Sequence, residues 1–368
     1  MKNLSALLEL RFNPELSTNA DGKHVRDGLS TVLRTGDYLW VSCDERTTLE
    51  RLKKTGEHTF AEHVSFDLTQ YLDLPDGNNS EIDIEGLGMA EGYLWLVGSH
   101  SLKRKKPRKE DPVAKQIKRL AKVTSDPNRY LIARIPLVHH PETGEYSLCR
   151  ECPDPQDPSK TLRAAQLLGS DKSNQLMDAI AHDLHLAHFL PIPGKDNGFD
   201  IEGLALHEDR IFLGLRGPVL RGWAMVLEIR LQETEDGTAL QLAPLTQDGL
   251  LYKKHFLHMN GMGVRELRIN GNDLYLLAGP TMDLDGVISV FRWRNAMTQT
   301  QGEEQLVHRK DLERLFDVPY GSGVTSGQDK AEGLGVYDDQ HIIIVYDSPS
   351  AIRKPEDDVV VADVYRVG

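Results

Sequence analysis

The sequence predicts an all-β fold of the β-propeller type, on three observations. A phrase that opens on an acidic residue recurs five times along the chain. Every copy reads as a β-hairpin, and further short strands follow most of the hairpins. The copies recur at intervals of roughly 55 to 70 residues, apart from one interval stretched by insertion, which is the period expected of four-stranded blades. A parallel α/β sheet would need helices alternating with strands, and most linkers here are too short or too polar to form them.

Taken in order, the first copy is "DGLSTVLRTGDYLWVSCDE", with Asp27, Gly28 and Leu29 at its start. The second and third, "DIEGLGMAEGYLWLVGSHS" and "DIEGLALHEDRIFLGLRGP", place Glu85 and Glu202 in the phrase. The fourth, "VRELRINGNDLYLLAGP", is one residue shorter and sets Glu266 and Leu267 against Glu85 and Leu87. The fifth, "AEGLGVYDDQHIIIVYDSP", supplies Glu332. Turn residues such as Gly36-Asp37, Glu91-Gly92 and Asp338-Asp339 separate a half-buried strand from a strongly apolar one in each copy. "NRYLIARIPLV" and "GEYSLCREC" are read as outer strands after the second hairpin, "AMVLEIRL" and "LQLAPL" after the third. The chain ends one strand short, after "DVVVADVYRVG", and "SALLELRF" near its start can supply the missing strand. Closure of that kind removes the open sheet edges through which propellers would otherwise pair. The expectation is one domain over 1–368 with five blades, or six if 100–199 holds a degenerate blade.

Composition fits a single globular unit, with 39% hydrophobic and 27% charged residues. No stretch has the length of a membrane-spanning helix or of a signal-peptide core, so a cytoplasmic protein without membrane contact is expected. The net charge of −13 argues against a nucleic-acid partner. Three cysteines suit a reducing compartment, and Cys149 and Cys152 are read as ordinary thiols on an outer strand. Within an insertion at 102–128, the run from Leu102 to Lys122 is heavily basic, and Val113, Ile117 and Leu120 fall on one side of a helix. That stripe is expected to pack on the ring. The sharper alternatives are a cationic lid over an anionic substrate and a docking helix for an acidic partner protein.

In a propeller the innermost strands run down a central channel, so Asp27, Glu85, Glu202, Glu266 and Glu332 are expected to ring its mouth. Carboxylates so placed repel one another unless they take up protons, meet basic neighbours such as Arg26, Arg265 and Lys330, or hold a cation. Calcium, before magnesium, suits several carboxylates. The competing structural reading has each acid accepting backbone N–H groups from the next blade, with the following Gly needed where inner strands crowd. The second strand of each hairpin returns to the same mouth, bringing Asp44, Glu45, Ser99, His100, Arg216, Gly279, Thr281, Asp347 and Ser348 beside the acids. Of these, His100 is a candidate general acid or base, Arg216 an anion clamp, and Asp347 an orienter of water or of the histidine. "GSGVTSG" (321–327) offers backbone N–H groups on this side. "HDLHLAH" spreads His182, His185 and His188 too widely around a helix for one metal, and the chain contains no G-x-S-x-G elbow.

With "DIEGL", "LWLVGSH" and "IFLGLRGP", the sequence resembles, over its whole length, a bacterial propeller family known as a domain of unknown function. It is more distantly similar to esterase-like phytase propellers, and in outline to five-bladed calcium-dependent nucleotidases. The resemblance implies the fold more than the chemistry. The expected function is metal-assisted hydrolysis of a phosphorylated or otherwise anionic small molecule at the channel mouth. The alternative is a noncatalytic scaffold for a protein partner.

Overall fold

The structure, a computed structural model, describes residues 3–19, 22–43, 46–321 and 323–368. It is built on β-sheets, and each repeated phrase forms an antiparallel hairpin. These pair Leu29–Thr35 with Tyr38–Cys43, Ile84–Ala90 with Tyr93–Gly98, Asp200–His207 with Arg210–Leu220, Gly263–Asn270 with Asp273–Gly279, and Lys330–Asp338 with His341–Asp347. The first strands of successive hairpins pack side by side, and that of the fifth returns to that of the first. Among the described residues the inner strands therefore make a closed circuit around a central axis.

Two further strands extend each hairpin outward, Ile132–His140 and Glu145–Leu148 after the second, for example. After the third hairpin the reading of "LQLAPL" as the outermost strand is corrected. Tyr252–His258 takes that place along Trp223–Glu233, while Leu240–Ala243 pairs with the far end of the same strand and bridges Leu167 in parallel. The strand Leu4–Arg11 pairs antiparallel with Val359–Arg366, with Leu10 opposite Val360, and also meets Thr59 and Phe60 in parallel. The first and last sheets are thus one hydrogen-bonded surface.

Alternate apolar residues of neighbouring sheets fill the space between them. Leu8, Leu10, Val41, Ile343 and Val364 form one such layer, and Val97, Ile201, Leu213 and Met225 another. Near the axis two of the inner strands have room only for glycine. A Cβ on Gly86 would lie 2.5 Å from the Leu204 nitrogen, and one on Gly333 would lie 2.9 Å from the Thr31 Cα.

The basic insertion is a small ribbon, Lys103–Arg104 against Val123–Thr124, carrying the helix Val113–Leu120. Its apolar stripe does not pack on the ring: Val113, Ile117 and Leu120 are exposed, because the ribbon holds the helix away from the sheets. Cys149 and Cys152 are joined in a disulfide between Glu145–Leu148 and Glu151–Pro153, in place of the two thiols expected.

Candidate functional site

Every inner strand carries a β-bulge at the same level, between Leu29 and Thr31, Ile84 and Gly86, Ile201 and Leu204, Val264 and Glu266, and Ala331 and Gly333. The residues squeezed out of pairing are Ser30, Glu85, Glu202 with Gly203, Arg265 and Glu332. A bulge re-aims its side chain out of the ladder. Glu85, Glu202 and Glu332 line a cavity of about 550 Å³ at one end of the axis. The expected five-acid ring is corrected at two places. In the fourth copy Arg265 holds the bulge, and Glu266 stands one step deeper, at the level of Gly86 and Gly333. In the first copy the bulge residue is Ser30. Asp27 lies three residues earlier on the rim, where Lys354 Nζ donates to its Oδ1 at 3.0 Å.

Glu266 is fully buried below the cavity. It accepts from Thr31 Oγ1 at 2.6 Å, from the Leu267 N–H at 3.0 Å, and from Arg268 at 2.7 and 3.0 Å. Arg268 also donates to the carbonyls of Leu204 and Val32. This pair crosses the axis and ties the first, third and fourth hairpins together, closing the cavity from below into a cup. Burial pushes the Glu266 carboxyl up to about 7 although Arg268 opposes it. Glu266 does tie hairpins together, but through the side chains of Thr31 and Arg268 and not, as the structural reading expected, by accepting backbone N–H groups of the next blade.

The wall of the cup alternates in charge, with nine acidic and seven basic side chains. Arg216, buried, donates to Glu202 Oε1 at 2.7 Å and to the Thr281 carbonyl at 3.0 Å, and lies 4.0 Å from Asp200. Arg265 reaches Glu332 at 2.6 Å, and Arg129 reaches Asp83 at 2.7 Å and Glu81 at 2.6 Å. Lys195 stands over the same acids, and no carboxylate of the described residues lies within ion-pairing distance of it. From the insertion, Lys103 pairs with Glu81 at 2.5 Å and also with Asp126, Arg104 pairs with Asp196 at 2.6 Å, and Lys106 with Asp283 at 3.5 Å. The ribbon is thus ion-paired onto the rim.

These neighbours split the carboxyl groups into two sets. Burial, then the charge of Glu202, raises Asp200 to about 7 against the pull of Arg216. Burial, then Glu332, raises Asp347 to about 6. Burial and the surrounding carboxylates push Glu85 well above its ordinary range. Burial acts on Glu332 too, but Arg265, Lys195 and Arg216 outweigh it and hold that carboxyl low. Nine acids face seven cations, and burial raises Glu85, Asp83 and Asp200, which lowers the negative charge of the wall, so the cup is not simply a sink for cations.

A divalent cation does not fit this donor set. Glu202, Glu332, Glu266 and Asp27 already face Arg216, Arg265, Arg268 and Lys354, and among the described residues no three His, Cys, Asp or Glu side chains converge as ligands.

His100 is outside the cup. It is buried, its Nδ1 donates to the Gly98 carbonyl at 2.7 Å, and its Nε2 accepts from Asn174 at 2.7 Å. Burial lowers its pKa to about 4, so both its geometry and its charge state remove it from proton transfer at the mouth. Arg216, Asp347 and Ser348 do line the cup, and Thr281 contributes its carbonyl to Arg216. Ser99 is buried. Asp44 and Glu45 lie outside the described residues, as does residue 322 within "GSGVTSG". The expected histidine helix ends at Ile180, and of the three histidines His185 alone approaches Asp183 and Lys254.

Sequence reasoning missed Asp200, Asp83, Arg129 and Lys195. The two aspartates open the repeated "DIEGL" and could have been found from it. Arg129 and Lys195 sit in long excursions that have no counterpart in other copies.

Residues 28–363 match the model of a family described as "Protein of unknown function (DUF3616)", and the chain belongs to that family. No curated protein matches the sequence. Among solved structures it is similar in overall course to an aldose sugar dehydrogenase from Streptomyces coelicolor in its PQQ-bound form, at 11% identity and TM-score 0.35, covering 98% of each chain. It is likewise similar to the glutaminyl cyclase of Myxococcus xanthus, at 10% identity and TM-score 0.41, over 99% of this chain and 97% of that one. A GH43 β-1,3-galactosidase with galactodeoxynojirimycin gives 10% identity and TM-score 0.41, over 96% and 94%.

Proposed function

We propose that this DUF3616 protein is a five-bladed propeller hydrolase that acts on an anionic small molecule in the mouth cup, by carboxyl acid–base catalysis. One observation carries the reading: a single cavity gathers raised carboxyl groups, Asp200 and Asp347, and a depressed one, Glu332, beside cations whose charges are not all used up. Environments that push paired titratable groups apart are how one site holds an acid and a base at the same pH. Asp200, protonated up to about 7, is the general acid. Asp347, at about 6, is ionised at neutral pH and is the base that draws a proton from water. Arg216, fixed by Glu202 and the Thr281 carbonyl, and Lys195 receive the anionic group of the substrate. No step is routed through a metal ion, because calcium or magnesium would first have to displace Arg216 and Arg265 from their carboxylates.

The test is turnover of chromogenic phosphate esters, carboxyl esters and acidic glycosides across pH 4 to 9, with Asp200→Asn and Asp347→Asn alongside. The expected profile is bell-shaped with limbs near the two carboxyl values, and each variant loses on the order of a hundredfold or more in rate while remaining folded. Turnover that is unchanged in both variants overturns the assignment. Binding of these anions without turnover of any class supports the noncatalytic scaffold instead.

A further inference from the structure

The basic insertion takes part in the cup through Lys105, Lys106 and Leu120, while Val113 and Ile117 do not line it. Val113 is 72% exposed, Ile117 63% and Leu120 45%, and they lie along one side of the helix Val113–Leu120. Apolar residues at this spacing normally face a core. Among the described residues nothing buries Val113 or Ile117. Between Leu102 and Lys122 the sequence carries ten Lys and Arg against two acids, although the whole chain has a net charge of −13. Lys103, Arg104 and Lys106 turn inward to the rim acids. Among the described residues Lys105, Lys109, Lys118 and Lys122 have no carboxylate within ion-pairing distance, and the charges of Lys122, Arg119 and Arg108 disfavour the protonated form of Lys105.

Other apolar tips stand on the same side of the molecule. Ile352, 87% exposed, lies in the loop leaving Asp347, and Leu284 lies in the loop leaving Gly279. Val324 is wholly exposed between Tyr320 and Gln328, which flank the cup. These tips belong to separate loops, and Leu284 lines one pocket with Tyr320 and Gln328. A folded partner needs a contiguous complementary surface. A lipid interface accepts separate apolar tips, and an amphipathic helix with basic flanks binds it by burying its apolar side while its cations meet anionic headgroups.

We propose that the insertion helix docks this protein on anionic phospholipid surfaces, with the mouth of the cup turned toward the lipid. Surface attachment needs no spanning segment, so the expectation of no membrane contact, drawn from spanning length, does not bear on it. The proposal stands on the exposed helix and is independent of the hydrolase reading.

The test is co-sedimentation of the full chain with phosphatidylcholine vesicles, with and without phosphatidylglycerol, at low and at physiological salt. Wild type is expected to bind the phosphatidylglycerol vesicles, less well as salt rises, and to bind pure phosphatidylcholine weakly. Val113→Glu with Ile117→Glu, both exposed, should keep the native melting temperature and weaken binding roughly tenfold or more. Lys109→Gln with Lys118→Gln should weaken it by a similar factor and flatten the salt dependence. Soluble polyglutamate is the second probe. Absence of vesicle binding by wild type, unchanged binding by the Val113/Ile117 variant, or binding to polyglutamate but not to vesicles each overturns the proposal, the last in favour of an acidic protein partner.

Discussion

The hydroxyl of Thr31 in the first hairpin donates at 2.6 Å to Oε2 of Glu266 in the fourth, across 235 positions of sequence and across the axis of the molecule. The two hairpins are not neighbours in the circuit of inner strands, so this contact exists only when the circuit is closed. Beside it Arg268 contributes two hydrogen bonds to the same carboxylate and two to carbonyls of the first and third hairpins. The site above is shaped by this plug.

Removing Glu266 should therefore be costly. Glu266→Ala leaves Arg268 buried and unpaired and is expected to destabilise the fold by about 3–5 kcal/mol. Glu266→Gln retains an acceptor for Thr31 and for the Leu267 N–H and should cost less. Urea denaturation of the two variants checks the order, and equal losses would contradict it.

Asp200 gives a pH dependence with a definite sign. Its folded pKa, about 7, lies above the unfolded carboxyl value, so between the two the folded state holds a proton that the unfolded state has released. Stability is then lost as pH rises through this window, from about 4 to about 7. Asp347 acts in the same direction up to about 6, while the depressed Glu332 acts oppositely, at lower pH. Asp200→Asn should flatten the fall in melting temperature between pH 5 and 8 and be more stable than wild type at pH 8. A steeper fall in the variant would refute the assignment.

The inner-strand glycines are set by distance. A methyl group on Gly86 would meet the Leu204 nitrogen at 2.5 Å and the Gly203 carbonyl carbon at 2.8 Å, both of them backbone atoms that cannot step aside. Gly86→Ala should destabilise by about 3 kcal/mol or more. Gly302→Ala, with nothing within 4 Å, is the matched control and should be near neutral. Thermal melts of both decide it.

Deleting residues 1–12 removes Leu8, Leu10 and Phe12, all buried, and uncovers the length of Val359–Arg366. The shortened chain is expected to aggregate or to lose its cooperative melt. A native melting temperature in that chain would show that the N-terminal strand is dispensable.

Calcium, magnesium and chelator should each leave the melting temperature of the wild type within about a degree, because the rim carboxylates are held by arginine and lysine. A calcium-dependent rise that is lost in Glu202→Gln would restore the cation reading.

By itself the sequence determined the hairpins, their order and the strand that pairs with the last sheet, because alternation and turn residues are local signals that survive in every copy. It also marked Arg216 and Asp347 as mouth residues, since a strand of fixed length delivers its end to a fixed level. Tertiary structure alone decided which acid does what. The bulge falls at the same level in every inner strand, and in the fourth it falls on Arg265 and sinks Glu266 into the axis; matching the copies by their acids, and not position by position back from Leu87 and Leu267, hid this in the sequence. His100 likewise begins a loop at the mouth, but Asn174, 74 positions away, turns it inward. Arg129 and Lys195 enter from excursions without a repeat, so only the folded chain shows that their charges set the protonation of the acids they face.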